Sequence, residues 1–159
     1  MFVENCLEIV QKTSSASDFC WCKCEKDGQL FIRHRTVVSD EANLLPVTKE
    51  FHICYDISYA VPVLYFNFWK SDGKILALNE IWEMTSSVHK DAVLQDPWTA
   101  VTQQEHPVLH TPCYHIHPCH TAKVMAQLEK AVRKKNYVLS WLSMFGPVVG
   151  LSVPCTVFT

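Results

Sequence analysis

Phe2, Cys6 and Ile9, with Val3, Leu7 and Val10, recur every three or four residues at the start of the chain. That is the spacing of an amphipathic helix. The small, polar stretch 13–18 that follows predicts a loop. Phe19, Trp21 and Lys23 then alternate with Cys20, Cys22 and Cys24, and beyond Lys26-Asp27-Gly28 a second run covers residues 30–38. Asp-Gly supplies the positive φ of a tight hairpin turn, so two antiparallel strands are predicted. Residues 39–49 begin polar, contain Pro46 and read as a loop. Phe51, Ile53, Tyr55 and Ile57 next alternate with His52, Cys54, Asp56 and Ser58, the period of a half-buried strand. Residues 61–69 form a dense aromatic and β-branched run in which Pro62 sits at the start, where a strand tolerates proline. Ser71-Asp72-Gly73-Lys74 closes it with a turn.

Residues 78–84 and 97–104 predict two short helices, and 112–116 a short strand. Thr121 is the expected N-cap of a longer helix. Ala122, Met125, Leu128 and Val132 would form its apolar stripe, and Lys130, Arg133, Lys134 and Lys135 lie at the end where the dipole favours cations. Asn136 is expected as the left-handed residue that ends it. A second helix over 137–145 stops at Gly146-Pro147, and 148–153 is an apolar tail that should dock in the core. Helix, mostly antiparallel strands, then helices is an α+β pattern with helices packed on a sheet.

Composition narrows the function classes. The 159 residues fit one domain over 1–159, and 48% apolar with 19% charged residues exclude a disordered tail. A net charge of −2 argues against a general nucleic-acid binder. No apolar run reaches the ~20 residues of a membrane span. The opening Met1-Phe2-Val3-Glu4-Asn5-Cys6 lacks the pattern of a secretory signal. Eight cysteines without an export signal read as free thiols in a reducing compartment, the cytoplasm.

The densest chemistry lies in Cys113-Tyr114-His115-Ile116-His117-Pro118-Cys119-His120-Thr121. Cys119 follows a proline at the mouth of a predicted helix, whose N-terminus favours thiolate over thiol. His117 and His120 flank it. This suits a nucleophile; the same residue also reads as a small hydrophobe filling a gap. His115 and His117 share a strand face near Cys113, Cys119, His106 and His110, and Cys20, Cys22 and Cys24 share another. No Cys-x-x-Cys pair is present, so the spacing argues against zinc, and neither metal nor cofactor is expected. A cysteine hydrolase would need a base supplied in space, and none of the local protease signatures appears.

His117-Pro118-Cys119-His120-Thr121 resembles the catalytic His-Pro-Cys motif of the autophagy E2-like conjugating enzymes. Tyr59-Ala60-Val61-Pro62-Val63-Leu64-Tyr65-Phe66, Thr102-Gln103-Gln104-Glu105-His106-Pro107, Ser140-Trp141-Leu142-Ser143 and Gly146-Pro147-Val148-Val149-Gly150-Leu151 are similar to the autophagy-related protein 10 family. The resemblance covers roughly residues 51–154, and more loosely the N-terminal helix and first hairpin. It implies an E2-like core, a curved and mainly antiparallel sheet with helices on one side. It also implies that Cys119 accepts the modifier autophagy-related protein 12 as a thioester from the E1-like autophagy-related protein 7. The modifier then passes to a lysine of autophagy-related protein 5, in autophagosome formation. Family members usually carry a longer polar insertion where this chain has only 39–49. The His-Pro-Asn motif of ubiquitin E2 enzymes is absent, as in the family, so the oxyanion-stabilising asparagine needs a substitute.

Tyr59 is the candidate for that polar role, with Asp56 and Ser58 on its strand and amides available from Gln103, Gln104 and Asn67. Tyr59 equally reads as an aromatic packing its ring at a strand end. His117, Pro118 and Thr121 are expected to support the loop that carries Cys119. The alternative from another class is a non-catalytic autophagy adaptor on an E2-like fold.

Overall fold

The computed structural model describes residues 1–15, 18–39, 45–85, 101–129 and 136–158. Helix α1 (Phe2–Thr13) buries Cys6, Ile9 and Thr13, while Val3 and Leu7 on its other side stay exposed. Its last residue ties it to the sheet: the Thr13 hydroxyl donates to the Ile9 carbonyl at 2.8 Å and accepts the Trp21 N–H at 3.1 Å.

Strands β1 (Trp21–Lys26), β2 (Gln29–Ser39), β3 (Pro46–Asp56), β4 (Val61–Lys70), β5 (Val101–Glu105) and β6 (Pro112–Ile116) form one antiparallel sheet in the order β1-β2-β3-β4-β6-β5. Asp27 and Gly28 both have positive φ, 52° and 75°, the geometry expected of the first hairpin turn. Helices α2 (Leu78–Met84), α3 (Cys119–Glu129) and α4 (Tyr137–Phe145) complete the described fold with 3₁₀ turns at Gly146–Val149 and Cys155–Phe158.

Strand alternation divides the sheet. One face carries Trp21, Ile32, Phe51, Ile53, Leu64, Phe66 and Phe68, packed against Ile9 of α1, Ile81 of α2, Met125 of α3 and Trp141, Leu142 and Phe145 of α4. Each fully buried side chain of this size contributes roughly 1.5–3 kcal/mol, so this layer dominates stability. The opposite face holds a smaller cluster of Phe31, Cys54, Val63, Tyr65, Val108 and Cys113. Val148, Val149 and Leu151 of the tail are buried in the main core.

Five expectations are corrected. Ile57 and Ser58, read as the end of a strand, lie in the turn 57–60, because β3 stops at Asp56. Residues 46–49 belong to β3 rather than a loop: Pro46 is the first residue of the strand, where no ladder N–H is demanded, and Val38 pairs with Val47. Residues 101–104 form a strand, not a helix, because Val101–Glu105 pairs along its whole length with β6; residues 97–100 lie outside the described residues. Helix α3 starts at Cys119, so Thr121 is its third residue and not its N-cap. Asn136 has φ −51° and caps the start of α4 instead, its Oδ1 accepting the Leu139 N–H at 3.0 Å. The expected basic end of α3, Lys130 and 133–135, and Val132 lie outside the described residues.

Candidate active site

Cys119 is exposed at the first residue of α3, separated from β6 by His117 and Pro118. Pro118 before it is buried, and its carbonyl accepts the Thr121 N–H at 3.1 Å. Thr121, buried at 2% exposure, anchors this first turn to the interior. The Cys119 N–H donates to His117 Nδ1 at 3.2 Å. An accepting Nδ1 places the proton of a neutral His117 on Nε2. His117 thus holds the Cys119 backbone and does not present Nδ1 as a base.

Tyr59 arrives from the other side. It sits in the turn 57–60 between β3 and β4, 44% exposed, with its ring edge-to-face on His117 at 5.8 Å. Tyr59, His117 and Cys119 therefore form one connected group, drawn from two junctions far apart in sequence. Asp56 ends β3, and its Oδ1 accepts the Tyr59 N–H at 2.9 Å. Ser58 belongs to the turn rather than to the strand. Gln103 and Gln104 pair with Tyr114 and Cys113, away from the Cys119 end of β6, and Asn67 donates to the Pro112 carbonyl at 2.9 Å. The register does not bring these amides to Cys119. The His120 side chain lies outside the described residues.

The other cysteines sit in different environments from Cys119. Burial pushes the Cys6 thiol up to about 12 and the Cys113 thiol up to about 11, and raises Cys54 as well. These stay protonated and inert. Cys20 and Cys24 are raised first by desolvation. Cys22 and Cys155 are exposed, on the edge strand β1 and in the last 3₁₀ turn, neither at a junction such as the one that holds Cys119.

A histidine system escaped the sequence reading. Cys22, Arg33, His52, Tyr65, His115 and Thr102 are successive cross-strand partners, one row across all six strands. Alternation puts His52 on the face opposite Phe51 and Ile53, but only the register sets Tyr65 and His115 beside it. His115 stacks on Tyr65 at 5.5 Å and meets His117 at 5.9 Å, so the row runs on to the site. The Thr102 carbonyl accepts from His115 Nδ1 at 3.2 Å. Beside the row, His106 Nδ1 accepts the Val108 and Leu109 N–H groups at 3.1 and 3.0 Å. Its proton is then on Nε2, which donates to His52 Nδ1 at 3.0 Å; His52 Nε2 donates to Glu50 Oε1 at 3.0 Å. Burial lowers His106 to about 4. With both ring nitrogens of His52 and His106 engaged in this way, these two histidines are structural. Among the described residues no three His, Cys, Asp or Glu side chains converge to hold a metal ion, and no helix is long and apolar enough to cross a membrane.

A family model described as "Autophagocytosis associated protein, active-site domain" matches residues 5–156. The ubiquitin-like-conjugating enzyme ATG10 of Homo sapiens is 46% identical over 112 residues, covering 68% of this chain and 51% of that relative. The enzyme of the same name from Arabidopsis thaliana is 39% identical over 112 residues, covering 66% and 50%. The chain thus spans about half the length of the curated relatives it matches. The solved structure "Crystal structure of Autophagic E2, Atg10" superposes with a TM-score of 0.55 at 19% identity, over 92% of this chain and 95% of that one. That likeness shows the fold: α+β, a six-stranded antiparallel sheet with helices on it.

Proposed function

The chain belongs to the autophagocytosis-associated active-site domain family, and on that premise we propose that it is an E2-like conjugating enzyme with Cys119 as its nucleophile. The observation that carries this reading is the group formed by Cys119, His117 and Tyr59: an exposed thiol at a helix N-terminus, its N–H fixed by a histidine on which a tyrosine packs.

The chemistry runs in two steps. The Cys119 thiolate attacks the acyl carbon of the modifier's C-terminal glycine, and the activating enzyme's cysteine leaves as a thiolate. One thioester replaces another, so positioning is the main demand. A neutral lysine amine of the acceptor then attacks the same carbon. The C–S bond breaks, Cys119 leaves as a thiolate, an isopeptide bond forms and the amine proton goes to solvent or a nearby base. This step builds charge on the acyl oxygen, and one lost donor to such an oxyanion typically costs ~10²–10³ in rate. Tyr59 supplies a hydroxyl at the site, and His117 and Pro118 hold the loop.

The modifier in this reading is autophagy-related protein 12, the donor the E1-like autophagy-related protein 7 and the acceptor autophagy-related protein 5, as the motif resemblance implies. The cytoplasm, where its eight free thiols stay reduced, is the matching compartment. Incubation with the activating enzyme, modifier and ATP tests the reading: a thiol-labile adduct on Cys119 supports it. A chain that binds these partners without ever forming the adduct is an adaptor instead.

A further inference from the structure

Among the described residues, one side-chain hydrogen bond ties the turn that presents Tyr59 to the strand before it. Asp56 and Val61 are the last pair of the β3–β4 ladder, and the four residues 57–60 close the hairpin. Ile57 is 87% exposed and Ser58 is exposed, so core packing does not shape this turn. Ala60 has φ +54°, a conformation that costs an L-residue roughly 1–2 kcal/mol. Against that strain stands the bond from the Tyr59 N–H to Asp56 Oδ1 at 2.9 Å. Short polar side chains stabilise turns in this way, by accepting a backbone N–H a few residues on.

We infer that Asp56 is a positioning residue of the transfer step: by accepting the Tyr59 N–H it sets the turn that lays the Tyr59 ring on His117, and so fixes the hydroxyl relative to Cys119. The inference rests on the conjugating-enzyme reading above. Asp56 acts through Tyr59 and needs an acceptor atom, not a charge. Asn in its place keeps an amide oxygen at the same reach, whereas Ala keeps nothing.

The test compares Asp56→Ala and Asp56→Asn, alone and with Tyr59→Phe. Discharge of preloaded Cys119 to the acceptor is measured relative to loading. Asp56→Ala should lower that ratio by roughly tenfold, the scale on which small misplacements act. Asp56→Asn should restore it to within about twofold, and Asp56→Ala should add little to Tyr59→Phe, since residues acting through one another are not additive. Equal losses in Asp56→Ala and Asp56→Asn would assign the role to the charge and overturn the inference, as would a wild-type ratio in Asp56→Ala. The ring-current shift of the His117 ring protons gives a readout independent of transfer: it should collapse in Asp56→Ala and persist in Asp56→Asn. A wild-type chain that accepts no modifier refutes the conjugation reading, and the His117 shift still decides whether Asp56 positions Tyr59. An unchanged shift in Asp56→Ala overturns the inference.

Discussion

The ring of Tyr59 meets the imidazole of His117 edge-to-face at 5.8 Å, while that imidazole accepts the backbone N–H of Cys119. A tyrosine ring and the backbone N–H of Cys119, from separate segments, thus share one histidine. In the proposed reaction, loading uses a thiolate and needs little from the phenol, whereas transfer to lysine needs an oriented amine and a stabilised oxyanion. Tyr59→Phe keeps the ring contact and removes only the hydroxyl. Thioester formation should stay close to normal and single-turnover discharge should slow by about tenfold or more. Equal discharge rates would leave the hydroxyl without a chemical role, and a parallel fall in loading would make the residue structural.

His106 sets a pH dependence of stability. Its folded-state pKa, lowered by burial to about 4, lies below the ordinary histidine value of 6.5. Between these values the unfolded chain binds more protons, so stability falls as pH falls from 6.5 towards 4. The slope from this one group approaches about 1 kcal/mol per pH unit. Buried His34 and His115, also lowered by desolvation, act in the same direction. Glu50, held low chiefly by its hydrogen bond from His52, adds a further loss at lower pH, where its carboxylate takes up a proton. Denaturant titrations at pH 7 and pH 5 should show the drop, and His106→Gln should flatten it. An equally steep dependence in His106→Gln would place its origin elsewhere.

Gly146 closes the α4 end against the tail. A Cβ there would stand 2.5 Å from the Leu151 carbonyl oxygen, a backbone atom that cannot swing aside. Gly146→Ala should therefore destabilise the chain by roughly 2 kcal/mol or more. A thermal midpoint within error of wild type would show that the tail moves without cost.

Ala60 offers the opposite case. With φ +54° and an exposed side chain, Ala60→Gly removes backbone strain and loses no packing. Stability should rise by about 1 kcal/mol, partly offset by the greater freedom of glycine in the unfolded chain. A lower denaturant midpoint would contradict this.

Legibility from the sequence followed the range of the forces involved. Asp27-Gly28, the alternation over 51–58 and the apolar run of β4 are local signals: Asp27-Gly28 forms the hairpin turn, the run over 61–69 is a strand, and the strand over 51–58 stops two residues short, at Asp56. Residues 39–49 read as a loop because they begin polar and contain Pro46, yet a strand's first position demands no ladder N–H and Pro46 pairs with Ser39. Residues 101–104 became a strand through pairing with β6, a tertiary choice that propensity does not register. Cys119 was legible as a residue poised before a helix, and the helix begins at that residue rather than after a Thr121 cap. Tyr59 entered through family resemblance, and nothing local reveals that its turn folds onto His117. The Glu50–His52–His106 relay depends on a β3 strand meeting a loop some fifty residues later, so no spacing rule could have found it.

The most direct measurement is the fate of Cys119 in a reconstituted reaction with activating enzyme, modifier and ATP, read on a non-reducing gel. Wild type should form one adduct that thiol reductant removes. Cys119→Ala should form none, and Cys119→Ser, where it reacts, should give an oxygen ester that survives reductant. An adduct that persists in Cys119→Ala, whether on exposed Cys22, exposed Cys155 or buried Cys113, would contradict the assignment of the nucleophile.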